Sequence, residues 1–138
     1  MEIIDASDCI AGRLAANIAK MLLKGETVSI INAEKAVISG DPKHVLEEYR
    51  EKLMRGDPYH GPFYPRRADM MLKRIIRGML PIKKPTGKEA LKRLKVYISV
   101  PNELKDKEIR KIKSAENKLE CKSITLDNLG KKLGAKHA

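Results

Sequence analysis

Residues Thr27 to Ile31 (TVSII) are β-branched almost throughout and lack the polar alternation of a half-exposed strand. Such a run predicts a strand buried on both faces, the environment of a parallel sheet. Parallel strands cannot be joined by a tight turn and need a crossover. The preceding residues supply one: Leu14, Ile18 and Leu22 recur four apart with Ala15 and Ala19 beside them, and Gly25 closes the pattern. Upstream, Glu2-Ile3-Ile4-Asp5-Ala6 is a short apolar run leading into Ser7 and Asp8. Residues 2–31 therefore read as a β-α-β unit, with Asp8 expected to cap the helix through its carboxylate.

The chain has 138 residues, of which 42% are hydrophobic. A single domain of this length buries roughly two-thirds of the surface its unfolded chain exposes, so the core needs neither disulfides nor a metal. Cys9 and Cys121 lie far apart with no C-x-x-C neighbour, which predicts neither a disulfide framework nor a zinc module. The opening Met-Glu-Ile-Ile-Asp carries acid where a signal peptide carries Lys or Arg, and no apolar segment approaches the roughly 20 residues that span a bilayer. The expectation is a reducing, cytoplasmic setting with no membrane partner.

Further along, Ala36-Val37-Ile38 predicts a short strand that stops at Ser39-Gly40. Asp41-Pro42 reads as an N-cap followed by proline at the first helical position, opening a helix with Val45, Tyr49 and Leu53 on one face and Gly56 at its end. Residues 69–79 return to helical spacing, with Leu72, Ile75, Ile76 and Met79 inward and Lys73, Arg74 and Arg77 outward. Pro81 and Pro85 flank an extended Lys83-Lys84 segment, Gly87 to Leu94 can form a short helix, Val96 to Val100 reads as a strand, and a charged helix is expected over about 103–113. Leu126, Leu129 and Leu133 are spaced like a small amphipathic helix, and the last residues, from Gly134 to Ala138, are expected to be mobile.

Charge is distributed unevenly. Residues 1–49 hold 5 basic and 8 acidic side chains, a net charge of −3, whereas residues 50–138 hold 24 and 10, a net charge of +14. Between Arg66 and Lys95 stand 11 basic residues against Asp69 and Glu89. That density repels itself in a folded domain unless a polyanion relieves it, and so points to nucleic acid. Just before it, residues 57–67 (DPYHGPFYPRR) hold three of the chain's five aromatic residues. Tyr59, His60, Phe63 and Tyr64, interleaved with proline and glycine and followed by Arg66-Arg67, can combine stacking on bases or riboses with phosphate contacts. The alternative is that these rings pack on their own domain. Arginine offers a planar fork and lysine a flexible point charge, which ranks Arg66, Arg67, Arg74, Arg77 and Arg93 above their lysine neighbours.

Other chemistries find little support. The single Gly12 after the first strand satisfies neither dinucleotide nor P-loop spacing. Cys9 and His60 have no sequence-placed third group or oxyanion site, and His44, His60 and His137 stand in three separate contexts without ligand spacing. The expectations are no catalysis, no cofactor, no metal and no small-molecule substrate.

Several stretches in order resemble one known family. They are Ile4-Asp5-Ala6; Gly12-Arg13-Leu14-Ala15 with Ile18-Ala19-Lys20 and Leu23; Ile31-Asn32-Ala33-Glu34-Lys35 with Ser39-Gly40; and Arg77-Gly78-Met79-Leu80-Pro81 followed by Gly87, Ala90 and Arg93-Leu94-Lys95-Val96-Tyr97. The chain resembles the universal large-subunit ribosomal protein L-thirteen family over about residues 3–101, in its archaeal or eukaryotic branch. Ala11 stands where a leucine is common in that family, Thr86 where a basic residue is common, and Ser99 where a glycine is common. The resemblance implies a three-layer α/β/α single domain around a four-stranded parallel sheet, with a helical basic carboxy-terminal extension. It divides the chain into an rRNA-binding domain (1–113) and a variable extension (114–138). It implies a monomeric structural component of the large ribosomal subunit that binds rRNA, meets neighbouring ribosomal proteins and supports assembly. A free-standing RNA-binding regulator is the alternative. The expected RNA-binding residues are Arg13, Tyr59, His60, Tyr64, Arg66, Arg67, Lys73, Arg74, Arg77, Gly78, Lys83, Lys84, Gly87, Lys88, Arg93 and Lys95, with the two glycines giving backbone access.

Overall fold

The computed structural model describes residues 1–136; His137 and Ala138, the end of the tail expected to be mobile, lie outside the described residues. Strand β1 (Glu2–Asp5) runs parallel to β2 (Val28–Ile31), Glu2 facing Val28 and Asp5 facing Ile31. Helix α1 (Ala11–Leu23) makes the crossover. Its Leu14, Ile18 and Leu22 are wholly buried, and Gly25 leaves the helix at φ +98°, a conformation that glycine adopts without steric cost. Every residue of β2 is buried, as the TVSII run predicts.

Asp8 does not cap α1. It adopts a left-handed turn at φ 54°, its carbonyl accepts the N–H of Asn117, and the helix begins later with Ile10 at the N-cap. Asp5 instead organises this loop, accepting the Ser7 N–H at 3.0 Å, the Ser7 hydroxyl at 2.7 Å and Asn32 Nδ2 at 3.0 Å.

Four parallel strands form the main sheet, but they are not the four apolar runs of the sequence. Its order is β4 (Leu94–Val96), β2, β1, β5 (Ile109–Arg110). The expected helix over 103–113 is instead a 3-10 turn at Asn102–Leu104 followed by β5. Only Leu104 is buried there, so a helix would have no apolar stripe to bury. The strand expected at Val96–Val100 is Leu94–Val96; beyond it Ser99 turns to φ 63° and its carbonyl accepts Asn32 N–H. The stretch at 36–38 becomes β3 (Val37–Ser39), which leaves the main sheet to pair antiparallel with β6 (Ser123–Thr125).

Alternation along the strands separates two faces. Ile4, Val28 and Ile30 join the large core with α1, α3 (Ala68–Gly78) and α4 (Pro85–Lys92), whereas Ile3 and Ile31 join Leu104, flanked by Tyr97 and Val100. The chain must travel from β4 at one edge to β5 at the other, and that passage supplies the thin cover of the second face. Helix α2 (Pro42–Met54) opens as expected, with the Asp41 carboxylate accepting Lys43 N–H at 3.2 Å. Helix α5 (Leu126–Lys132) inserts Leu126 and Leu129, both wholly buried, into the large core beside α3.

Candidate nucleic-acid interface

Helix α3 buries Ala68, Met71, Leu72 and Ile76. Met71 is the inward methionine; Met79, expected inward, is the residue after the helix and is 43% exposed. The opposite side presents Lys73, Arg74 and Arg77, as expected from the spacing. The chain then turns at Pro81, whose carbonyl accepts the Lys84 N–H at 2.9 Å, so Lys83-Lys84 sits on a turn rather than on an extended segment. Gly87 is buried, and a Cβ there would collide with the Pro81 carbonyl. Its missing side chain lets α4 close on this turn. Gly78, with open space around it, remains accessible.

The aromatic loop is internally built. Asp57 and Gly61 exchange backbone hydrogen bonds, Asp57 N–H to the Gly61 carbonyl at 3.2 Å and Gly61 N–H to the Asp57 carbonyl at 2.9 Å. The Asp57 carboxylate also accepts Tyr59 N–H at 2.9 Å and lies 3.2 Å from His60 Nδ1. These two bonds hold Asp57 below the ordinary carboxylate range. Gly56 (φ +88°) and Gly61 (φ +77°) take left-handed conformations, and a Cβ on Gly56 would strike the Gly61 carbonyl. The resulting tip leaves Tyr59 87% exposed and Phe63 69% exposed.

Tyr64 turns the other way and packs on its own domain. Its ring meets Tyr49 of α2 edge-on, with centroids 5.6 Å apart, and the Arg74 guanidinium lies over the ring at 4.8 Å. Lys52 Nζ sits 4.6 Å from the Tyr49 ring. Burial first, and then Tyr64, push the Tyr49 phenol far above its usual range. Arg74 Nη1 also donates to the Phe63 carbonyl at 3.4 Å. One stack thus joins α2, the loop and α3, and sets the direction of Arg74.

Arg74 and Arg77 form a ridge between two depressions. One, of about 350 Å³, is walled by Phe63, Tyr64, Pro65, Met70 and Leu91, with Lys73, Arg74 and Arg77 at its rim. The other, open and of about 630 Å³, runs along Arg74, Arg77, Gly78 and Leu80 to Lys84. Of the expected residues, the fold brings together Tyr64, Lys73, Arg74, Arg77, Gly78, Lys83 and Lys84. Arg67 is drawn to Asp69 at 3.1 Å and borders a separate hollow of mixed charge with Glu34 and Asp127. Arg66 is exposed beside Gly134, Lys88 is exposed on α4, and Lys95 is exposed on the edge strand β4. Arg13 is exposed in the first turn of α1; one turn on, Asn17 bonds the Ser114 hydroxyl. Arg93 is half-buried, with Nη2 donating to the Leu22 carbonyl at 2.8 Å, where it satisfies the C-terminal end of α1. Met70 and Leu91 escaped sequence reasoning: Met70 is an apolar residue out of phase with the buried stripe of α3, whereas Leu91 continues the inward row of Gly87 and Ala90 on α4 and is only partly covered.

Cys9 is buried, with its thiol directed to the carbonyls of Asp5 and Ser7 and pushed up by burial, while His60 is exposed and engaged with Asp57. The two do not form a nucleophile and base. Among the described residues no three His, Cys, Asp or Glu gather as metal ligands, and no helix is long and apolar enough to cross a membrane.

The model of one family, ribosomal protein L13, matches residues 1–103, three-quarters of the chain. The chain belongs to the ribosomal protein L13 family. Its relatives include the large ribosomal subunit protein uL13 of Methanosarcina barkeri, 50% identical over 99% of both chains, and that of Methanococcoides burtonii, 49% identical over 99% of both. The protein of the same name from Methanopyrus kandleri is 43% identical over 96% of this chain and 86% of its own length. These archaeal relatives extend the likeness past residue 103, through α5, and bear out the family resemblance read from the motifs.

Proposed function

We propose that this L13-family chain is a structural component of the large ribosomal subunit that binds large-subunit rRNA through the Arg74–Arg77 ridge and supports subunit assembly. What carries this reading is the near-full-length similarity to large-subunit proteins. The physics agrees with it: an assembly protein needs a small stable domain whose cations sit where phosphates crowd, and the α3 face supplies cations whose direction is set by packing. The chain works without turnover, as a monomer in the cytoplasmic particle beside other ribosomal proteins. Residues 1–113 carry the RNA face, and residues 114–138 form the variable extension, whose helix α5 braces that face from behind α3. Within the RNA set, Lys73, Arg74, Arg77, Lys83 and Lys84 contact phosphates directly, Gly78 admits the backbone, and Gly87 and Arg93 act by holding α4 and α1.

Sucrose-gradient sedimentation of a lysate at low and high salt tests the assignment. The protein is expected to travel with the large subunit and to resist the high-salt wash. Recovery at the top of the gradient under both conditions would instead favour a free-standing RNA-binding regulator.

A further inference from the structure

We propose that the groove between Phe63 and Leu91 receives one unpaired base of the bound RNA, stacked on Phe63, while Arg74 and Arg77 hold the adjoining phosphates. The proposal rests on the RNA-binding reading and specifies which RNA feature the face selects. Four observations converge on it. The groove, at about 350 Å³, is at the small end of the roughly 300–1,000 Å³ typical of ligand sites, a size suited to one nucleotide. Its walls are apolar and open to solvent, Phe63 being 69% and Met70 47% exposed, and flat apolar surface of this kind is what an unstacked base can cover. Its charged rim residues are all cationic, Lys73, Arg74 and Arg77, with no carboxylate among the lining side chains. Finally, wall and rim are fixed to each other, because Arg74 bonds the Phe63 carbonyl at 3.4 Å and lies over the Tyr64 ring. A Cβ on Gly61 would press on the Phe63 ring at 3.1 Å, so that turn also sets where the ring stands.

A continuous A-form duplex cannot use such a slot, since its base faces are stacked and its bases are reached only through narrow or shallow grooves. A bulge or loop nucleotide can. An apolar side chain from a neighbouring protein could fill the walls, but it would leave three cations at the rim without counter-charge. The charge pattern favours the nucleotide.

The test titrates the full chain, at fixed low salt, into three fluorescein-labelled RNA hairpins of the same stem. One carries a single 2-aminopurine bulge, one an abasic residue at that bulge, and one is fully paired. The 2-aminopurine hairpin is expected to bind roughly five- to a hundredfold more tightly than the abasic one, the range of one base–aromatic stack, with quenching of the 2-aminopurine emission. Phe63→Ala is expected to abolish both the preference and the quenching while leaving the paired hairpin's affinity unchanged. Phe63→Tyr should retain them. Equal affinity for the base-containing and abasic bulges would overturn the base site while leaving the RNA face intact, and would return the groove to a protein neighbour. Failure to bind any of the three would overturn the RNA face together with the groove.

Discussion

Ser99 occupies a left-handed backbone position at φ 63° without a glycine. Its N–H donates to Glu34 Oε2 at 3.0 Å and its carbonyl accepts from Asn32, so surrounding bonds hold it there. An L-residue in this region costs about 1–2 kcal/mol, against which glycine's larger unfolded-state entropy must be set. Ser99→Gly is therefore expected to stabilise the protein by about 0.5–1 kcal/mol in thermal melting. Asp5 holds the loop after β1 through its carboxylate. Burial acts to raise its pKa, but hydrogen bonds from Asn32 and Ser7, with the charge of Lys111, outweigh it and leave the carboxyl below its ordinary 3.8. A depressed folded-state pKa contributes stability that is present above the unfolded value and lost as pH falls through the folded one. The stability advantage of the parent over Asp5→Asn should therefore be largest near neutrality and shrink as pH falls below about 4 in denaturant titrations. An advantage that stayed constant down to about pH 2 would show that the carboxylate charge is not what stabilises this loop.

At the scale of elements, close approaches matter more than contacts of long side chains. Helix α4 rests on the turn after α3 because Gly87 has no Cβ to meet the Pro81 carbonyl, and α5 rests on the aromatic loop because a Cβ on Gly130 would come within 2.8 Å of the Arg66 carbonyl. Both joints tie a basic segment to the core. Gly87→Ala must move backbone, so it is expected to cost about 1–3 kcal/mol and to weaken RNA binding through displacement of Lys83 and Lys84. Chemical denaturation and filter binding on the same variant would measure the two effects, and loss of neither would mean that α4 can shift freely. The helices were legible from residue spacing because each presents a repeated stripe to one core. Strand β5 was not, since two residues carry no period and pair with β1 only after the chain has crossed the sheet.

For the whole molecule, a net charge of +11 on 138 residues, concentrated after residue 50, makes binding and salt inseparable. Each cation that neutralises a phosphate contributes about one unit to the slope of log affinity against log salt. Replacing Arg74 and Arg77 together by alanine is expected to flatten that slope by about two units, whereas Arg93→Ala should lower stability more than it lowers the slope. Titrations of RNA at several salt concentrations, set beside melting curves, separate these outcomes. A slope unchanged in the double variant would remove the ridge from the interface. The candidate interface was thus legible as a composition and a face, with Lys73, Arg74 and Arg77 read correctly as one outward row. The parting of Tyr64 from Phe63, and of Arg93 from Arg77, depended on which neighbours the fold delivered.

Local order along the chain encodes the β-α-β start, the Asp41-Pro42 helix opening, the cationic row on α3, the concentration of charge, and the family motifs. Each follows from period, capping chemistry or residue count, none of which needs a distant partner. The tertiary structure alone decided that β3 leaves the main sheet, that β5 completes it, that α5 fills the core beside α3, and that Arg93 satisfies the end of α1. Those outcomes rest on pairings between residues far apart in the chain, where burial and unsatisfied backbone groups choose among segments that look alike one at a time.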